Sequence, residues 1–340
     1  MRAAPGFWWR PPGLASALLS PVGAVVGAVA LGRMGKPGGR VPVPVICIGN
    51  PTVGGAGKTP TAIAVLTQLK AQGAQPFALL RGHGGRVTAP QRVDGARHAA
   101  AEVGDEALLL ARHAPTIVAG GDRLGGARLA VAEGATHIVM DDGFQNPSLH
   151  KDASLLVVDA AVGVGNGCVT PAGPLRAPLA PQLARADAVL LVGEGAAGDA
   201  IATAAAAAGR TVLRGTLVPD PVAVEALRGA RLLAFAGIGR PDKVFATLRA
   251  QGLEVAEARA FPDHHPYAPA EIETLAREAA QRGFKLVTTE KDLARLTGPA
   301  FAGLRGQIAA LPVTLRLDPP DGFQALIGLA QARCAERAAG

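Results

Sequence analysis

Residues 41–60 read VPVPVICIGNPTVGGAGKTP, and this stretch decides the predicted fold. The apolar run over 41–48 predicts a buried strand whose prolines are confined to its opening residues. The glycine-rich turn that follows leads into a helix predicted from 58 to about 71. Strand, Gly-Gly-x-Gly-Lys-Thr and helix, in that order, are what a phosphate-binding loop requires, because backbone N–H groups and a helix N-terminus converge on phosphate oxygens.

The loop assigns roles to its own residues. Lys58 is expected to reach the β- and γ-phosphates of ATP, and Thr59 is expected to hold Mg²⁺. The general motif has glycine where this chain has Thr52, so a glycine-rich turn that binds nothing is the alternative. The coincidence of strand, motif and helix argues against that alternative. The nucleotide-binding residues are therefore predicted to be Thr52, Val53, Gly54, Gly55, Ala56, Gly57, Lys58 and Thr59.

A second class of P-loop protein also fits this turn. Membrane-associated switch ATPases carry a lysine at the position of Val53, and that lysine reaches the nucleotide of a dimer partner. Because the lysine is absent here, a phosphotransferase is the favoured function and a switch ATPase is the alternative.

Strands and helices alternate along the rest of the chain, which predicts an α/β fold with a doubly wound, mostly parallel sheet of the P-loop NTPase type. A second, smaller α/β domain follows, since 340 residues exceed what one core usually serves. The predicted segments are an N-terminal apolar membrane-associated segment over 1–36, a P-loop kinase domain over 37–212, a linker strand region over 213–230, the smaller domain over 231–312, and a return strand with a C-terminal helix over 313–340.

The amino-acid composition indicates which classes of binding partner are favoured. The net charge of +7 favours anionic partners, among them nucleotide phosphates and anionic lipid head groups. Aromatic residues make up only 4%, which argues against a stacking platform for nucleic acid. Three cysteines without a C-x-x-C pair indicate neither a disulfide framework nor a zinc site, so a reducing cytoplasmic compartment is expected.

The N-terminal run over 14–31 carries no charge and follows Trp8 and Trp9. Eighteen helical residues span roughly 27 Å, the lower limit for crossing a bilayer. Three interpretations remain open: a cleaved signal peptide, a buried core helix, and an interfacial helix with tryptophans and arginine at head-group depth. The interfacial helix is favoured, because the nearby ATP loop needs cytosolic nucleotide.

Acidic residues supply the other candidate site groups. Asp141 and Asp142 end an apolar strand, which is where a P-loop fold places Mg²⁺-binding carboxylates. Asp105 precedes an apolar helical stretch and is either a helix cap or the base that accepts the proton of an acceptor hydroxyl. Neighbouring His264 and His265 do not share a face, so joint metal binding is not expected, and the pattern alone favours surface histidines.

Several motifs together resemble one family, the tetraacyldisaccharide 4′-kinases of lipid A synthesis, and they extend over nearly the whole chain. The most specific are Asp141-Asp142-Gly143-Phe144-Gln145 and Pro171-Ala172-Gly173-Pro174-Leu175-Arg176. The others are Phe7-Trp8-Trp9-Arg10, the phosphate loop, Arg81-Gly82-His83-Gly84, Gly104-Asp105-Glu106, Gly165-Asn166-Gly167, Gly237-Ile238-Gly239 with Pro241, Asp263-His264-His265, and Thr288-Thr289-Glu290-Lys291-Asp292.

The resemblance implies ATP-dependent phosphorylation of the 4′-hydroxyl of a tetraacylated glucosamine disaccharide 1-phosphate, at the cytoplasmic face of the bacterial inner membrane. It implies that Asp105 is the general base, assisted by His264 across the domain cleft. Arg176, Gln145 and Arg123 are expected to contact substrate or phosphate. Expected cofactors are ATP and Mg²⁺. Expected partners are the acylated lipid and the membrane surface, with no nucleic acid and no obligate protein partner.

The chain departs from the family pattern at three positions. His83 stands where the family usually has tyrosine, Asn146 where it has histidine, and Ala177 where it has glutamate. Because Ala177 has no carboxylate, a metal-binding or nucleotide-binding role for a carboxylate at the position after Pro-Leu-Arg is in doubt. Thr52 is not a departure, because the family also tends to lack the first glycine of the loop. None of the three positions is in the loop or at Asp105, so activity is expected.

Overall fold

The computed structural model describes residues 4–339. Its thirteen strands are β1 (Val45–Gly49), β2 (Pro76–Leu80), β3 (Gln91–Arg92), β4 (Thr116–Val118), β5 (His137–Asp141), β6 (Ala153–Asp159), β7 (Ala188–Val192), β8 (Thr211–Pro219), β9 (Arg231–Ala236), β10 (Glu254–Ala260), β11 (Lys285–Thr289), β12 (Ile308–Leu311) and β13 (Val313–Asp318).

The α-helices are α1 (Leu14–Met34), α2 (Lys58–Ala71), α3 (Ala100–Val103), α4 (Asp105–Ala111), α5 (Arg123–Ala132), α6 (Leu179–Arg185), α7 (Ala196–Ala207), α8 (Pro221–Leu227), α9 (Pro241–Ala250), α10 (Pro269–Gln281), α11 (Glu290–Arg295), α12 (Ala302–Arg305) and α13 (Gly322–Ala339). Two short 3₁₀ helices cover Gly6–Trp9 and Pro299–Phe301.

Nine strands form the large sheet in the order β13-β8-β7-β6-β1-β5-β2-β4-β3. All neighbours pair parallel except β3 with β4 and β13 with β8, at the two edges. Separate hydrophobic clusters cover its two faces. The prediction of a doubly wound, mostly parallel sheet is therefore confirmed.

The central strands explain where the site lies. β1 pairs parallel with β5, and Ile48 is in register with Asp141. The loop after β1 and the two aspartates at the end of β5 therefore meet at one edge of the sheet, the edge where open α/β sheets bind ligands. The helix that follows the loop, α2, is fixed by Ala62, Val65, Leu66 and Leu69, which recur at helical spacing and are fully buried.

A second sheet has the order β10-β9-β11-β12, with every pair parallel. Hydrophobic clusters cover both of its faces. The segment predicted as a linker strand lies in β8 and pairs with β7 in the large sheet, and α8 then leads to β9. β13 returns to the large sheet beside β8.

The N-terminal helix α1 lies against the protein along one face. The Trp8 indole donates to the Pro171 carbonyl at 3.0 Å, and the Asn166 amide donates to the Ser16 hydroxyl at 2.9 Å. A Cβ at Gly23 would lie 2.7 Å from the Val169 carbonyl oxygen, so this close approach needs glycine.

The opposite face of α1 is exposed and apolar, from Leu14 at 85% to Val29 at 58%. By length and composition, α1 is the one helix in the described part of the chain that could cross a membrane. Because most of α1 is exposed, the interpretation as a buried core helix is wrong.

Candidate active site

The phosphate loop runs from the end of β1 to the start of α2. Gly54 and Gly57 have φ values of +110° and +93°, in the left-handed region that favours glycine. The Lys58 ammonium donates to Asn50 Oδ1 at 3.1 Å and lies 3.8 Å from Asp142 Oδ2. The lysine thus folds back over its own loop, held by the fully buried Asn50. Asn50 lies in the sequence motif of the loop, but no function was predicted for it from the sequence.

The segment around Arg176 braces this loop from one side. The Val53 N–H donates to the Pro174 carbonyl at 2.8 Å, and the Arg176 N–H donates to the Pro51 carbonyl at 2.9 Å. The Arg176 guanidinium also donates to the Thr52 carbonyl at 2.9 Å. Thr52, where the general motif has glycine, is therefore a buried attachment point of the loop.

Asp141 lies beside the loop threonine and has one carboxylate oxygen without a protein partner among the described residues. The Thr59 hydroxyl donates to Asp141 Oδ2 at 3.0 Å, whereas Asp141 Oδ1 is buried and has no partner among the described residues. Burial and the negative charge of Glu106 raise the pKa of Asp141 to about 7, against the opposing charge of Lys58. A buried carboxylate with a free oxygen, next to the loop threonine, fits Mg²⁺ shared with nucleotide phosphates.

Asp142 has a different environment from Asp141. Its carboxylate accepts two bonds from the Arg176 guanidinium, at 2.6 and 3.0 Å. Although burial opposes ionisation, the charges of Lys58 and Arg176 lower the pKa of Asp142. Of the two aspartates predicted to bind metal, Asp141 is thus the one beside Thr59, and Asp142 is neutralised by Arg176.

The three predicted substrate contacts all have protein partners. Arg176 is paired with Asp142, as described above. Gln145 donates to the Asn50 carbonyl at 2.9 Å. Arg123 is 7% exposed and donates to the Gly120 carbonyl at 3.0 Å. Gln145 and Arg176 support the loop directly, whereas Arg123 lies buried at the start of α5.

Asp105 begins α4 and contacts two side chains from the second sheet's unit. Asp105 Oδ2 lies 3.1 Å from His264 Nδ1 and accepts the Arg295 Nε–H at 2.6 Å. Burial opposes ionisation of Asp105, yet the His264 hydrogen bond and the charges of Lys291 and Arg295 hold its pKa well below the usual range. The N-cap of α4 is Gly104, and Asp105 follows it as the first residue of the helix, where its Oδ1 accepts the Glu106 N–H at 2.9 Å.

The two neighbouring histidines point to different partners. His264 has φ +57° and places Nε2 3.4 Å from the Lys291 ammonium, which in turn binds Glu106 at 3.0 Å. His265 Nε2 instead lies 3.1 Å from the Glu271 carboxylate. Among the described residues no His, Cys, Asp and Glu cluster could hold a metal by itself. The interpretation of His264 as a surface residue is wrong, because it is paired with Asp105.

The three departures from the family pattern have separate surroundings. His83 packs edge-on against His264, with ring centroids 5.4 Å apart. Asn146 accepts the Ser148 N–H and hydroxyl. Ala177 is fully buried, and its carbonyl accepts the Gln182 amide. Only His83 lies beside the carboxylate–imidazole pair.

The second unit also approaches the phosphate loop. A Cβ at Gly239 would lie 3.5 Å from the Gly55 nitrogen. Arg240 and Lys243 both bind Asp159, at 2.8 and 3.2 Å, and Asp159 ends β6 next to β1. The loop, the aspartates and the Asp105–His264 pair therefore border one crevice between the two sheets.

A phosphate loop that shares its crevice with a paired carboxylate and imidazole defines a class of protein, the P-loop phosphotransferases. The family model for tetraacyldisaccharide-1-P 4′-kinases matches residues 15–331. A tetraacyldisaccharide 4′-kinase from Xanthobacter autotrophicus is 70% identical, over 97% of this chain and 98% of its own. One from Azorhizobium caulinodans is 58% identical, over 98% of both chains. The chain belongs to the tetraacyldisaccharide 4′-kinase family, as its motifs predicted.

Among solved structures, the Aquifex aeolicus LpxK in complex with ATP matches with a TM-score of 0.70. The match covers 94% of this chain and all of that one, at 24% identity. At this identity the likeness supports the fold, which agrees with the predicted architecture.

Proposed function

We propose that this protein transfers the γ-phosphoryl group of ATP to the 4′-hydroxyl of a tetraacylated glucosamine disaccharide 1-phosphate. The observation that carries the proposal is the Asp105–His264 pair, held between the two units beside the phosphate loop. Transfer to a sugar hydroxyl requires a proton acceptor near the hydroxyl. A protein that used ATP only as a conformational switch would not need this pair.

The nucleotide phosphates bind to the backbone N–H groups of the loop, with Lys58 compensating the charge that develops on the transferred group. Thr59 and Asp141 would hold Mg²⁺, consistent with their 3.0 Å hydrogen bond and the unpartnered Asp141 oxygen. When bound there, Mg²⁺ would neutralise part of the phosphate charge. Asp142 and Arg176 keep the loop in the shape that these contacts require.

The proton passes to the Asp105–His264 pair. Because neighbouring cations hold the pKa of Asp105 well below the usual range, Asp105 remains ionised at working pH. Its contact with His264 Nδ1 favours the tautomer that carries the Nδ1 proton, which leaves His264 Nε2 as the acceptor nitrogen. The resemblance assigns the base to Asp105. We propose that Asp105 and His264 act as one unit, in which the carboxylate stabilises the imidazolium.

The acceptor is proposed to enter from a membrane surface at the cytoplasmic face of the inner membrane. α1 is attached to the protein along one face by Ser16, Gly23 and the neighbouring Trp8, and its outer face is exposed and apolar. A helix held along its length in this way suits a position in the interface plane, with its outer face in lipid. The charged lipid head group would then lie near the crevice.

The switch-ATPase alternative lacks its main requirement. The lysine that reaches a partner's nucleotide is replaced by Val53, which is partly exposed and braced through its backbone by Pro174. The two functions differ in where the phosphate goes.

The test of the proposal is an incubation with γ-labelled ATP, Mg²⁺ and the acylated disaccharide 1-phosphate in mixed micelles. Chromatography of the lipid should show label only when the acceptor has a free 4′-hydroxyl. An acceptor blocked at that position is the control. Label that stays in inorganic phosphate with both acceptors would contradict the proposal.

A further inference from the structure

The last residue of α11, Arg295, is buried between the two units of the molecule. Its side chain is only 6% exposed. It belongs to the unit built on the four-stranded sheet, the second unit. It reaches Asp105 at the start of α4, in the unit built on the large sheet, the first unit. A buried guanidinium needs compensating partners, because moving the charge out of water is costly.

The fork of Arg295 links three parts of the structure. Arg295 Nε donates to Asp105 Oδ2 at 2.6 Å. Arg295 Nη1 donates to Asp292 Oδ1 at 2.7 Å and to the Gly237 carbonyl at 2.6 Å. Asp292 also accepts the Gly237 N–H and the Tyr267 hydroxyl, each at 2.9 Å. Contacts within the second unit therefore hold the Arg295 side chain in the position from which it reaches Asp105.

This arrangement determines the orientation of the Asp105 carboxylate. Asp105 Oδ2 receives both Arg295 and His264, whereas Oδ1 accepts the backbone N–H of Glu106 at 2.9 Å. Without Arg295 the carboxylate would keep only the Glu106 N–H and His264 as partners. The guanidinium adds a charged contact whose direction is set by the planar arginine head, held at Nη1 by Asp292 and Gly237, and a flexible ammonium would set that direction less well.

We propose that Arg295 is a positioning residue, which locks the Asp105 carboxylate against His264 and makes this alignment depend on the contact between the two units. The inference rests on the proposed function. Arg295 is buried, and its hydrogen bonds go to Asp105, Asp292 and Gly237. It acts through Asp105, and it couples the geometry of the proton-accepting pair to the docking of α11 and the Gly237 loop.

Other charged or titratable groups surround the Asp105–His264 pair and also influence the pH profile of kcat. From α11, Lys291 lies 3.4 Å from His264 Nε2 and binds Glu106. From the loop after β10, Asp263 lies 3.8 Å from His264. From the loop after β2, His83 packs on the His264 ring. None of these groups is itself changed by a substitution at Arg295, so the variants differ from the wild type only in the guanidinium and in what its loss does to the alignment.

The experiment compares three variants with the wild type: Arg295→Gln, Arg295→Lys and the matched control Arg337→Gln. Arg337 is a buried arginine of similar kind, since its fork binds the fully buried Asp152 at 2.8 Å and its side chain is 14% exposed. Asp152 binds the Val45 N–H at the amino end of β1, the sheet edge opposite the phosphate loop. For each variant the melting temperature, kcat, KM for ATP and the pH profile of kcat are measured.

Arg295→Gln should lower kcat by about 10²-fold, with KM for ATP changed less than about threefold, because misplacing a catalytic group by about 1 Å costs that much. Its acid limb should move to higher pH, since Asp105 loses a neighbouring positive charge that lowers its pKa. Arg295→Lys should recover part of kcat and keep the acid limb near the wild-type position. Arg337→Gln should lose stability and keep kcat and its pH profile.

Three results would overturn the inference. The first is kcat within about threefold of wild type in folded Arg295→Gln. The second is an equal loss of kcat in Arg337→Gln at an equal loss of melting temperature, which would make the effect one of stability alone. The third result applies only if Arg295→Gln does not fold. In that case, a kcat in Arg295→Lys equal to the wild-type value would overturn the inference. Failure of the proposed function is distinguishable, because the wild type itself would then give no phosphorylated lipid.

Discussion

At the scale of single residues, the Lys58 ammonium tests the phosphate loop most simply. Lys58→Ala removes the charge that lies 3.1 Å from Asn50 and points over the loop. Loss of such a charge removes several kcal/mol of transition-state stabilisation, so kcat should fall by roughly 10²-fold or more.

The measurement for Lys58 is steady-state lipid phosphorylation, and Lys70→Ala is the matched control. Lys70 lies at the other end of the same helix, α2, and binds the His113 carbonyl. Near-normal turnover in a folded Lys58→Ala variant would rule out the assigned role of the loop.

Asp105→Asn tests the proton-accepting pair. Loss of the base should lower kcat by about 10²–10⁴-fold. Adding His264→Ala should cost less than the product of the two single effects, because the residues act as one unit. The measurement is kcat for the two single variants and the double variant. A kcat above about a tenth of the wild-type value in Asp105→Asn would place the base elsewhere.

Stability separates the base from a simple helix cap. Asparagine caps helices as well as aspartate does, so a cap alone predicts an unchanged melting temperature. Asp105 instead compensates the buried Arg295, and removing one partner of a buried pair costs about 3 kcal/mol. We therefore expect Asp105→Asn to unfold at lower urea concentration than the wild type while still binding ATP.

The depressed pKa of Asp105 also gives a pH dependence with a defined sign. Its folded-state pKa lies below the unfolded value of about 3.9, so the stabilisation is fully present above that value and is lost as pH falls toward the folded pKa. The difference in unfolding free energy between wild type and Asp105→Asn should shrink as pH falls below about pH 4. A difference that grows at low pH would contradict this assignment.

The sequence could predict some of these residues and not others. Lys58, Thr59 and Asp141 lie in local motifs whose spacing fixes their position relative to a strand end. Arg295 and Asp105 are 190 positions apart. Their contact depends on how the two units dock, and no local pattern in a single sequence encodes that docking.

At the scale of elements, α1 carries the proposed membrane contact. Replacing Leu14, Leu18 and Val25 by serine removes three exposed aliphatic side chains without touching the docked face. Since each buried CH₂ contributes about 0.8 kcal/mol to membrane binding, partitioning into vesicles should weaken by at least about tenfold. The measurement is co-sedimentation with anionic phospholipid vesicles.

Val222→Ser is the control for α1, because Val222 is another exposed apolar residue, 76% exposed on the short helix α8. It should leave sedimentation unchanged. The α1 variant should raise the apparent KM for the lipid more than it lowers kcat. Unchanged sedimentation of the α1 variant would place the membrane contact on another surface.

The elements that the sequence predicted best are those with a strong apolar pattern. The helix predicted from 58 to about 71 agrees with α2 (Lys58–Ala71), whose buried residues follow helix spacing. Asp105 was expected to precede an apolar helical stretch, and it is the first residue of α4. Gly104, with φ +89°, separates α3 from α4, and this break places Asp105 at a helix start.

Other elements were missed because their sequences carry little pattern. β10 has the sequence EVAEARA and lies at the edge of the small sheet, mostly exposed. β12 is four residues long, and α6 begins after Pro178 with only Gln182 and Leu183 buried. Tertiary pairing rather than local hydrophobicity holds these elements in place.

At the scale of the whole molecule, the active crevice exists because two sheets meet. The large sheet supplies the loop, Asp141 and Asp105, and the small sheet's unit supplies His264 and Arg295. Asp159 with Arg240 forms a further ionic contact between the units, close to the phosphate loop.

The most direct measurement of the proposed function is the ratio of ADP formed to lipid phosphate formed in one reaction with vesicle-bound acceptor. The account predicts one ADP for each 4′-phosphorylated lipid, and almost no ADP when the acceptor is left out, because the proton-accepting pair serves a sugar hydroxyl. ADP that accumulates at the same rate with and without acceptor, and without phosphorylated lipid, would contradict the account and favour the switch ATPase.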